Sequence, residues 1–327
     1  MGLKSRLIDA AFRCGFFSPL AKLKRGRGAI LMFHEVHSDP LKAAFYGCTT
    51  LQLDMILKAL RSWDIDLIGA HELLPRLQSD NPRQFVLITF DDGYRDNLYN
   101  ALPILQKYNA PALINVPTGA VTRDLYCWWL ALRDLFMTRD ELRVGAQEGR
   151  HIVLSSAEKR LSEYAAVNGW LAEDFTRAFQ LKELFEDEGV DFSGLCEEAF
   201  LDEAGLKQLA ADPLITIGAH TVTHRSLAAL SETEVHEELL CNKQYLEGLL
   251  DTPVQHLAYP FGGAGQCGIR EAKSAKDIGF DIAIAVRPGI LKTTDLEDPF
   301  LLARSDAGYL GITERQLYFM INGLYSS

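Results

Sequence analysis

The chain has 327 residues, of which 48% are hydrophobic, and its formal net charge is −11. Such a length and composition can fill one α/β barrel with a sizeable core, and we favour this over two modest domains. The negative charge argues against a general nucleic-acid-binding protein, because neutralising phosphates requires clustered Lys and Arg.

Residues 1–27 are basic, unlike the rest of the chain. They hold Lys4, Arg6 and five further cations against the single acid Asp9, interspersed with apolar residues. Two interpretations are open: the segment contacts an anionic membrane surface, or it packs on the barrel with its cations in solvent. Charges interrupt every apolar stretch, so we predict no secretion signal and expect a cytoplasmic protein, with any membrane contact peripheral and at the inner face.

The six cysteines and the hydropathy pattern support this compartment. No CxxC pair occurs, and the cysteines are scattered through the chain. This favours reduced thiols over a disulfide framework. No apolar run approaches the length of a transmembrane helix.

Strand-like and helix-like segments alternate from residue 28 onward, which is typical of parallel βα units. The predicted strands are 29–33, 67–68, 85–90, 112–116, 214–217, 254–259, 281–286 and 301–305. The predicted helices are 51–63, 97–108, 232–250, 269–278 and 314–322, with a kink at Pro103 in the second. Residues 121–211 break the alternation, and we interpret them as a helical insertion on the catalytic side.

Four polar clusters each follow a predicted strand. They are His34 after AILMF, Asp91-Asp92-Gly93 after FVLITF, His220-Thr221-Val222-Thr223-His224 after LITIGA, and Tyr259-Pro260-Phe261-Gly262 after VQHLA. Because the carboxyl ends of barrel strands converge on one mouth, these side chains can meet there. Carboxylates and histidines gathered at one mouth suggest a metal hydrolase.

The spacing of the histidines and aspartates indicates a catalytic metal site. His220 and His224 can reach one point, and Asp92 can add an oxygen ligand from another strand end, leaving a fourth position for water. The adjacent Asp91 would then face that water as a base. Surface histidines and a helix cap formed by the aspartates are the alternatives. Zn²⁺ is the expected ion, although such a set also accepts Co²⁺, Ni²⁺ or Mn²⁺.

In this order, the motifs TFDDG, HTVTH and YPFG resemble those of the polysaccharide deacetylase family, also called carbohydrate esterase family four or the NodB-homology domain. The similarity runs from about residue 28 to 310. It implies a distorted (β/α)7-type barrel within 28–327, with the helical insertion, about 121–211, between the strands that bear the Asp-Asp and HxxxH motifs. It also implies a divalent metal, usually zinc, on Asp92, His220 and His224.

The resemblance further implies the chemistry. Asp91 would be the general base for the attacking water, and a backbone N–H of the motif containing Tyr259 and Pro260 would stabilise the oxyanion. The substrate would be an N-acetylated sugar, and a histidine would protonate the leaving amine.

Two departures from the family pattern affect the site. Many members carry an Arg that orients the base where this chain has Ala258, and we expect Arg304 to substitute for it unless it forms a structural salt bridge. Many members also end in a Leu-x-His motif, but residues 311–327 contain no histidine. A branch acting on poly-N-acetylglucosamine carries its acid on the first strand, so His34 is assigned as the acid, with a structural histidine as the alternative. Asp306 could orient it.

Trp128 and Trp129 begin the insertion. They either stack on sugar faces or anchor the insertion to the barrel. An insertion above the mouth would narrow the groove, which favours a chain end, an oligosaccharide or a lipid-linked sugar as substrate.

Three functions remain open: an N-deacetylase in cell-surface polysaccharide synthesis, a carbohydrate-binding pseudoenzyme, and a hydrolase of another amide such as a formamido sugar.

Overall fold

A computed structural model describes residues 3–80, 83–144 and 150–324, with side chains from residue 8 onward. The strands are β1 (Gly28–Phe33), β2 (Val36–His37), β3 (Cys48–Thr49), β4 (Asp66–Leu67), β5 (Phe85–Asp91), β6 (Ala112–Val116), β7 (Glu141–Val144), β8 (Arg150–Val153), β9 (Ile215–Ala219), β10 (His256–Ala258), β11 (Ile282–Ile284) and β12 (Ser305–Asp306). Parts of the predicted barrel and insertion, at 325–327 and 145–149, lie outside the described residues, as do the side chains of Lys4 and Arg6.

The helices surround these strands. They are α1 (Leu3–Arg13), α2 (Ser18–Lys24), α3 (Pro40–Phe45), α4 (Thr50–Ser62), α5 (Leu73–Gln78), α6 (Leu102–Lys107), α7 (Thr118–Thr122), α8 (Trp128–Thr138), α9 (Ala157–Glu173), α10 (Lys182–Asp187), α11 (Phe192–Ala199), α12 (Glu203–Ala210), α13 (Glu232–Leu250), α14 (Ile269–Ile278) and α15 (Glu314–Ile321). A π-helical turn, Asn97–Ala101, precedes α6. Pro103 explains this turn, because proline cannot donate the intrahelical hydrogen bond to residue 99.

Eight strands form one curled sheet in the order β11-β10-β9-β6-β5-β1-β12, with β4 beside the start of β5. All pairings within it are parallel. The segment before β12 also bonds to β11, because Leu302 N–H donates to Ala283 O and Ala285 N–H donates to Leu302 O. The two edges of the sheet therefore approach each other, and the distorted barrel predicted from the sequence is confirmed. Every residue of β1 and β5 is buried, as expected for strands covered on both faces.

The insertion lies between β6 and β9, as predicted, but it is not purely helical. It contains the antiparallel hairpin β7–β8 as well as helices α8 to α12. Its buried side chains form a core of their own, in which Leu132 and Phe136 of α8 pack with Tyr164 of α9 and Phe185 of α10. This second core supports the insertion above the barrel mouth.

The N-terminal segment packs against the C-terminal helix. Phe12 contacts Tyr318 and Phe17 contacts Phe319, with ring centroids 5.4 and 4.8 Å apart. Helix α2 shares a small cleft with Gln84, the residue before β5. This segment therefore lies toward the amino end of the barrel strands. Within the described residues, no helix is both long and apolar enough to span a membrane.

Candidate active site

The four polar clusters lie at the same end of the parallel sheet. His34 follows β1, Asp91 ends β5, His220 follows β9 and Tyr259 follows β10. A cavity of about 410 Å³ opens at this end. Of the residues predicted from the sequence, it is lined by His34, Asp91, Asp92, Trp128, Trp129, His220 and His224.

Asp92, His220 and His224 present three ligand atoms that all lie within 4.8 Å of one another. Oδ1 of Asp92 is 3.5 Å from Nε2 of His220 and 3.2 Å from Nε2 of His224. Nδ1 of His220 is 2.7 Å from the carbonyl oxygen of Ala258, so its Nε2 is left to face Asp92. Oδ1 of Asp92 is buried without a hydrogen-bond partner. A buried, unpartnered carboxylate oxygen beside two imidazole nitrogens fits a divalent cation.

The loop that carries the two histidines is held from α13. Thr221 and His224 adopt positive φ angles of 67° and 53°, a region that costs backbone strain. The carboxylate of Glu238 accepts hydrogen bonds from the backbone N–H groups of Val222 and Thr223, both at 2.8 Å. Oδ1 of Asn242 accepts the N–H of His220 at 2.9 Å. Sequence reasoning missed this support, although polar residues four apart on the buried face of a helix were its signal.

Asp91 is held by Arg304, a side chain with no exposed surface. The guanidinium donates to both carboxylate oxygens, at 2.8 and 2.7 Å, and also to Oγ1 of Thr89 at 3.2 Å. Asn115 on β6 donates a further hydrogen bond of 2.8 Å to Oδ1 of Asp91. The structure thus brings Arg304 to the carboxylate that the sequence analysis expected it to orient.

These contacts set the charge state of the cluster. Burial raises the pKa of Asp91, but the attraction of Arg304 and His220 outweighs this and lowers it to about 2. The pKa of Asp92 is held well below its usual range, because the two histidines outweigh its burial. Burial lowers the pKa of His224, whereas the two carboxylates raise the pKa of His220 despite its burial. Both aspartates are therefore anionic at neutral pH.

His34 is half-buried in the same cavity. Its carbonyl oxygen accepts a hydrogen bond of 2.9 Å from Nδ2 of Asn97, and its ring contacts that of Tyr46 at a centroid distance of 5.1 Å. Asp306 is exposed, and its Oδ1 accepts the N–H of Gly308 at 2.9 Å. Among the described residues, no hydrogen bond joins Asp306 to His34, so the orienting role of Asp306 stays a prediction.

The residues of the Tyr-Pro-Phe-Gly segment differ in how their backbone N–H groups are used. The N–H of Tyr259 donates to the carbonyl oxygen of Ile284 at 3.1 Å, and its hydroxyl donates to that of Phe300 at 2.9 Å. Tyr259 is thus engaged in the sheet, and Pro260 has no N–H to offer. The N–H of Phe261 has no acceptor among the described residues, and its ring lies 5.0 Å from that of His224. Phe261 is therefore the member of this segment with a free backbone donor near the cluster.

The two tryptophans line the cavity in different ways. Nε1 of Trp129 donates a hydrogen bond of 2.9 Å to the hydroxyl of Tyr94, and its ring lies 4.7 Å from that of His224. Trp129 therefore supports a member of the histidine cluster directly. Trp128 is buried, and its ring centroid is 6.4 Å from those of Phe175 and Phe261.

The insertion is tied to the loop after β1 by a buried ion pair. Arg133 of α8 forms a two-point contact with Glu35, the neighbour of His34. Arg133 also lines the cavity that contains His34, as do Tyr164 and Asn168 of α9. The insertion thus forms one side of the cavity. The pairing of Arg133 with Glu35 could not be predicted, because the partners are 98 positions apart in the chain.

Fold and site together define a (β/α)-barrel of the carbohydrate esterase kind, with an Asp-His-His cluster at the carboxyl ends of its strands. The family model "Polysaccharide deacetylase" matches residues 78–281, and the chain belongs to this family of amide-bond hydrolases.

Solved structures share the fold at low sequence identity. Deacetylase PplD of Streptococcus pyogenes is 18% identical with a TM-score of 0.60, covering 91% of this chain and 99% of that one. IcaB from Ammonifex degensii is also 18% identical, with a TM-score of 0.55 and coverage of 90% and 96%. A de-N-acetylase from Aggregatibacter actinomycetemcomitans is 14% identical, with a TM-score of 0.56 and coverage of 89% and 99%. No curated protein matches the chain significantly.

Proposed function

We propose that the protein is a metal-dependent N-deacetylase that acts on an N-acetylated amino sugar of a cell-surface polysaccharide or its oligosaccharide precursors. One observation carries this proposal. A buried, unpartnered oxygen of Asp92 lies close to the imidazole nitrogens of His220 and His224. Next to them is the carboxylate of Asp91, which Arg304 holds in place. A binding module would not need an ionised carboxylate beside such a cluster. This favours a hydrolase over the carbohydrate-binding pseudoenzyme.

Asp92, His220 and His224 would hold the divalent cation. Zn²⁺ suits two imidazoles and one carboxylate, while Co²⁺, Ni²⁺ and Mn²⁺ accept the same set. When bound there, the cation acts as a Lewis acid that lowers the pKa of water and polarises the acetamido carbonyl group. The chain itself holds the two histidine ligands in place through Ala258, Glu238 and Asn242.

The remaining roles fall to neighbouring groups. Asp91 accepts the proton of the attacking water, with Arg304 and Asn115 fixing the direction of its carboxylate. The backbone N–H of Phe261, rather than that of Tyr259, donates a hydrogen bond to the developing oxyanion. His34 gives a proton to the leaving amine from its position in the same cavity.

The experiment measures metal content and product release together. Wild type should contain about one equivalent of zinc and release acetate from N-acetylglucosamine oligomers, and Asp91→Asn should lose at least ~100-fold in kcat, the usual contribution of a general base. Equal acetate release from both proteins would refute the role of Asp91. His34→Ala should lower turnover with the metal retained; loss of the metal would make His34 a ligand instead.

A formamido sugar is the second candidate substrate, since the same groups hydrolyse either amide. The cavity of about 410 Å³ does not select between the two acyl groups by volume. A panel of matched N-acetyl and N-formyl glucosamine substrates decides between them. The measured quantities are the rates of acetate and formate release. A higher kcat/KM for the formamide would replace the deacetylase assignment by a deformylase.

We further propose that α2 makes a peripheral contact with the anionic inner face of a membrane. Phe16, in the turn before α2, and Leu20 and Leu23 of α2 are 74%, 41% and 82% exposed. They are flanked by the exposed cations Arg13, Lys22, Lys24 and Arg25. An exposed apolar stripe beside cations is complementary to anionic lipids. Because α2 lies toward the amino ends of the strands, the cavity mouth faces away from such a membrane, which favours a carbohydrate chain over a sugar linked to a lipid of that membrane.

Vesicle sedimentation tests this contact. The protein should sediment with vesicles containing phosphatidylglycerol and stay in solution with phosphatidylcholine alone. The pair Leu20→Ser and Leu23→Ser should abolish sedimentation, whereas Leu51→Ser, at a residue 79% exposed on α4, should not. Equal sedimentation of all variants would refute the contact.

A further inference from the structure

A second cavity, of about 470 Å³, lies directly beside the catalytic cavity. The two share His224, Trp128, Phe175 and Phe261 as common wall. The rest of the second cavity is formed by the insertion, around residues 124–126 and 176–179, and by the segment that follows the HxxxH motif. A group bound in this cavity would therefore lie next to the histidine cluster. The catalytic roles proposed above make no use of this space.

Phe261 forms the partition between the two cavities. Its ring stacks on Phe175 with a centroid distance of 3.8 Å and an interplanar angle of 18°. Its backbone is in the left-handed region, with φ of 59°, which is costly for a large side chain. The neighbouring Gly262 carbonyl oxygen accepts the N–H of Val286 at 2.7 Å, which fixes this turn. The strained backbone of Phe261 thus holds its ring between the catalytic cavity and the second cavity.

The lining of the second cavity combines aromatic faces with polar groups. Tyr126 and Phe179 have parallel rings, 1° apart in plane and 6.0 Å between centroids, and Phe179 is 59% exposed. Besides His224, the polar lining comes from Asp124, Thr176, Thr223, Arg225 and Ser226. A pyranose ring has an apolar C–H face that packs on aromatic rings and hydroxyl groups at its edge that bond to such polar groups. An alkyl chain would desolvate these polar groups without offering them any hydrogen bond.

We propose that this second cavity is a subsite for the sugar unit next to the N-acetylated residue in the same carbohydrate chain. The proposal rests on the proposed function and deepens it, because it assigns the insertion a role in recognising the substrate. It makes the preferred substrate an oligosaccharide of at least two units, with the neighbouring sugar packed against Tyr126 and Phe179 and separated from the reacting amide by the ring of Phe261.

The test compares substrates of different length. The probes are N-acetylglucosamine and its β-linked tetramer, and the readout is the ratio of kcat/KM for the tetramer to kcat/KM for the monomer. Phe179→Ala should lower this ratio about tenfold, since a lost ring contact of ~1–1.5 kcal/mol corresponds to that factor. Tyr99→Ala provides the matched control, because Tyr99 is 57% exposed and lies on the π-helical turn, away from both cavities. It should keep the wild-type ratio.

Two outcomes would overturn the subsite. One is an unchanged ratio in Phe179→Ala; the other is tighter binding of an octyl glycoside of N-acetylglucosamine than of the tetramer, which would assign the cavity to an alkyl chain. Binding of the tetramer gives a second readout that does not need turnover. It is measured by the quenching of tryptophan fluorescence. If wild type binds the tetramer, Phe179→Ala weakens that binding, and neither substrate is hydrolysed, the subsite stands and the deacetylase assignment fails.

Discussion

Arg304 donates hydrogen bonds to both carboxylate oxygens of Asp91, and both side chains are buried. The guanidinium comes from the residue just before β12, whereas the carboxylate ends β5. A two-point contact fixes the plane of the carboxylate as well as its charge. The last strand of the barrel therefore supplies the group that orients the expected base, in a chain with Ala258 where relatives were expected to carry an arginine.

Arg304→Met should act on both stability and pH dependence. Removing the guanidinium leaves the buried carboxylate of Asp91 without its ion-pair partner, which lowers the free energy of unfolding by about 3–5 kcal/mol. Without the guanidinium the pKa of Asp91 rises from about 2, so the acidic limb of the kcat/KM profile should move to higher pH. Urea denaturation and a pH profile of acetate release measure the two effects.

Arg304→Lys serves as the companion variant, because it keeps the charge but loses the two-point geometry. We expect it to fold, to keep the acidic limb closer to that of wild type, and to lower kcat. The double variant Asp91→Asn with Arg304→Met should recover part of the stability lost in Arg304→Met. An acidic limb unchanged in both single variants would contradict the assignment of Asp91 as the titrating base.

Arg304 could be predicted because the family resemblance calls for an arginine that Ala258 does not supply, and Arg304 lies at the end of a predicted strand. A polar residue at the carboxyl end of a buried run must face the mouth, and the same rule predicted Asp91, Asp92, His220 and His224. For the oxyanion donor the sequence predicts only the motif, because which of its backbone N–H groups is free depends on strand pairing. Tyr259 pairs with Ile284 across the sheet, and no motif encodes that bond.

Glu238→Ala should weaken metal binding at the proposed site without changing any of the three expected ligands. The carboxylate holds the loop between His220 and His224 through two backbone N–H groups, in a segment with two positive φ angles. Losing such a supporting partner typically lowers metal affinity about 10–100-fold. Zinc competition with a chromophoric chelator measures this. Glu237→Ala, one position away and exposed on the same helix, should bind zinc as wild type does; equal loss in both would indicate general damage to α13.

The insertion could be predicted only in outline. Its helical periodicity and its place between two strands were readable, because both depend on local pattern. The hairpin β7–β8 and the pair of Arg133 with Glu35 were not, since they depend on contacts between residues far apart in the chain. The partition by Phe261 likewise depends on Phe175 folding back over the barrel mouth.

Glu35, His37 and Asp96 form a cluster of titratable side chains, in which Glu35 is buried and the other two are half-buried. Burial raises the pKa of Glu35, but the ion pair with Arg133 outweighs this and lowers it. Burial and the nearby Glu35 carboxylate raise the pKa of Asp96 to about 7, against the smaller opposing effect of His37. Asp96 also accepts the N–H of Val36 at 3.0 Å, so it helps to fix the loop that follows His34.

Asp96→Asn should therefore change how stability depends on pH. A carboxyl whose pKa is raised on folding keeps a proton that the unfolded chain releases above about pH 4, so the free energy of unfolding falls as pH rises from 4 to 7. Asparagine does not titrate. Relative to wild type, the variant should gain about 1–3 kcal/mol between pH 5 and pH 8, since one pKa unit is worth ~1.4 kcal/mol. Urea denaturation at pH 5, 6, 7 and 8 measures this, with Asp187→Asn, exposed on α10, as the control that should follow wild type. Parallel curves for wild type and Asp96→Asn would show that Asp96 is already ionised in the folded protein.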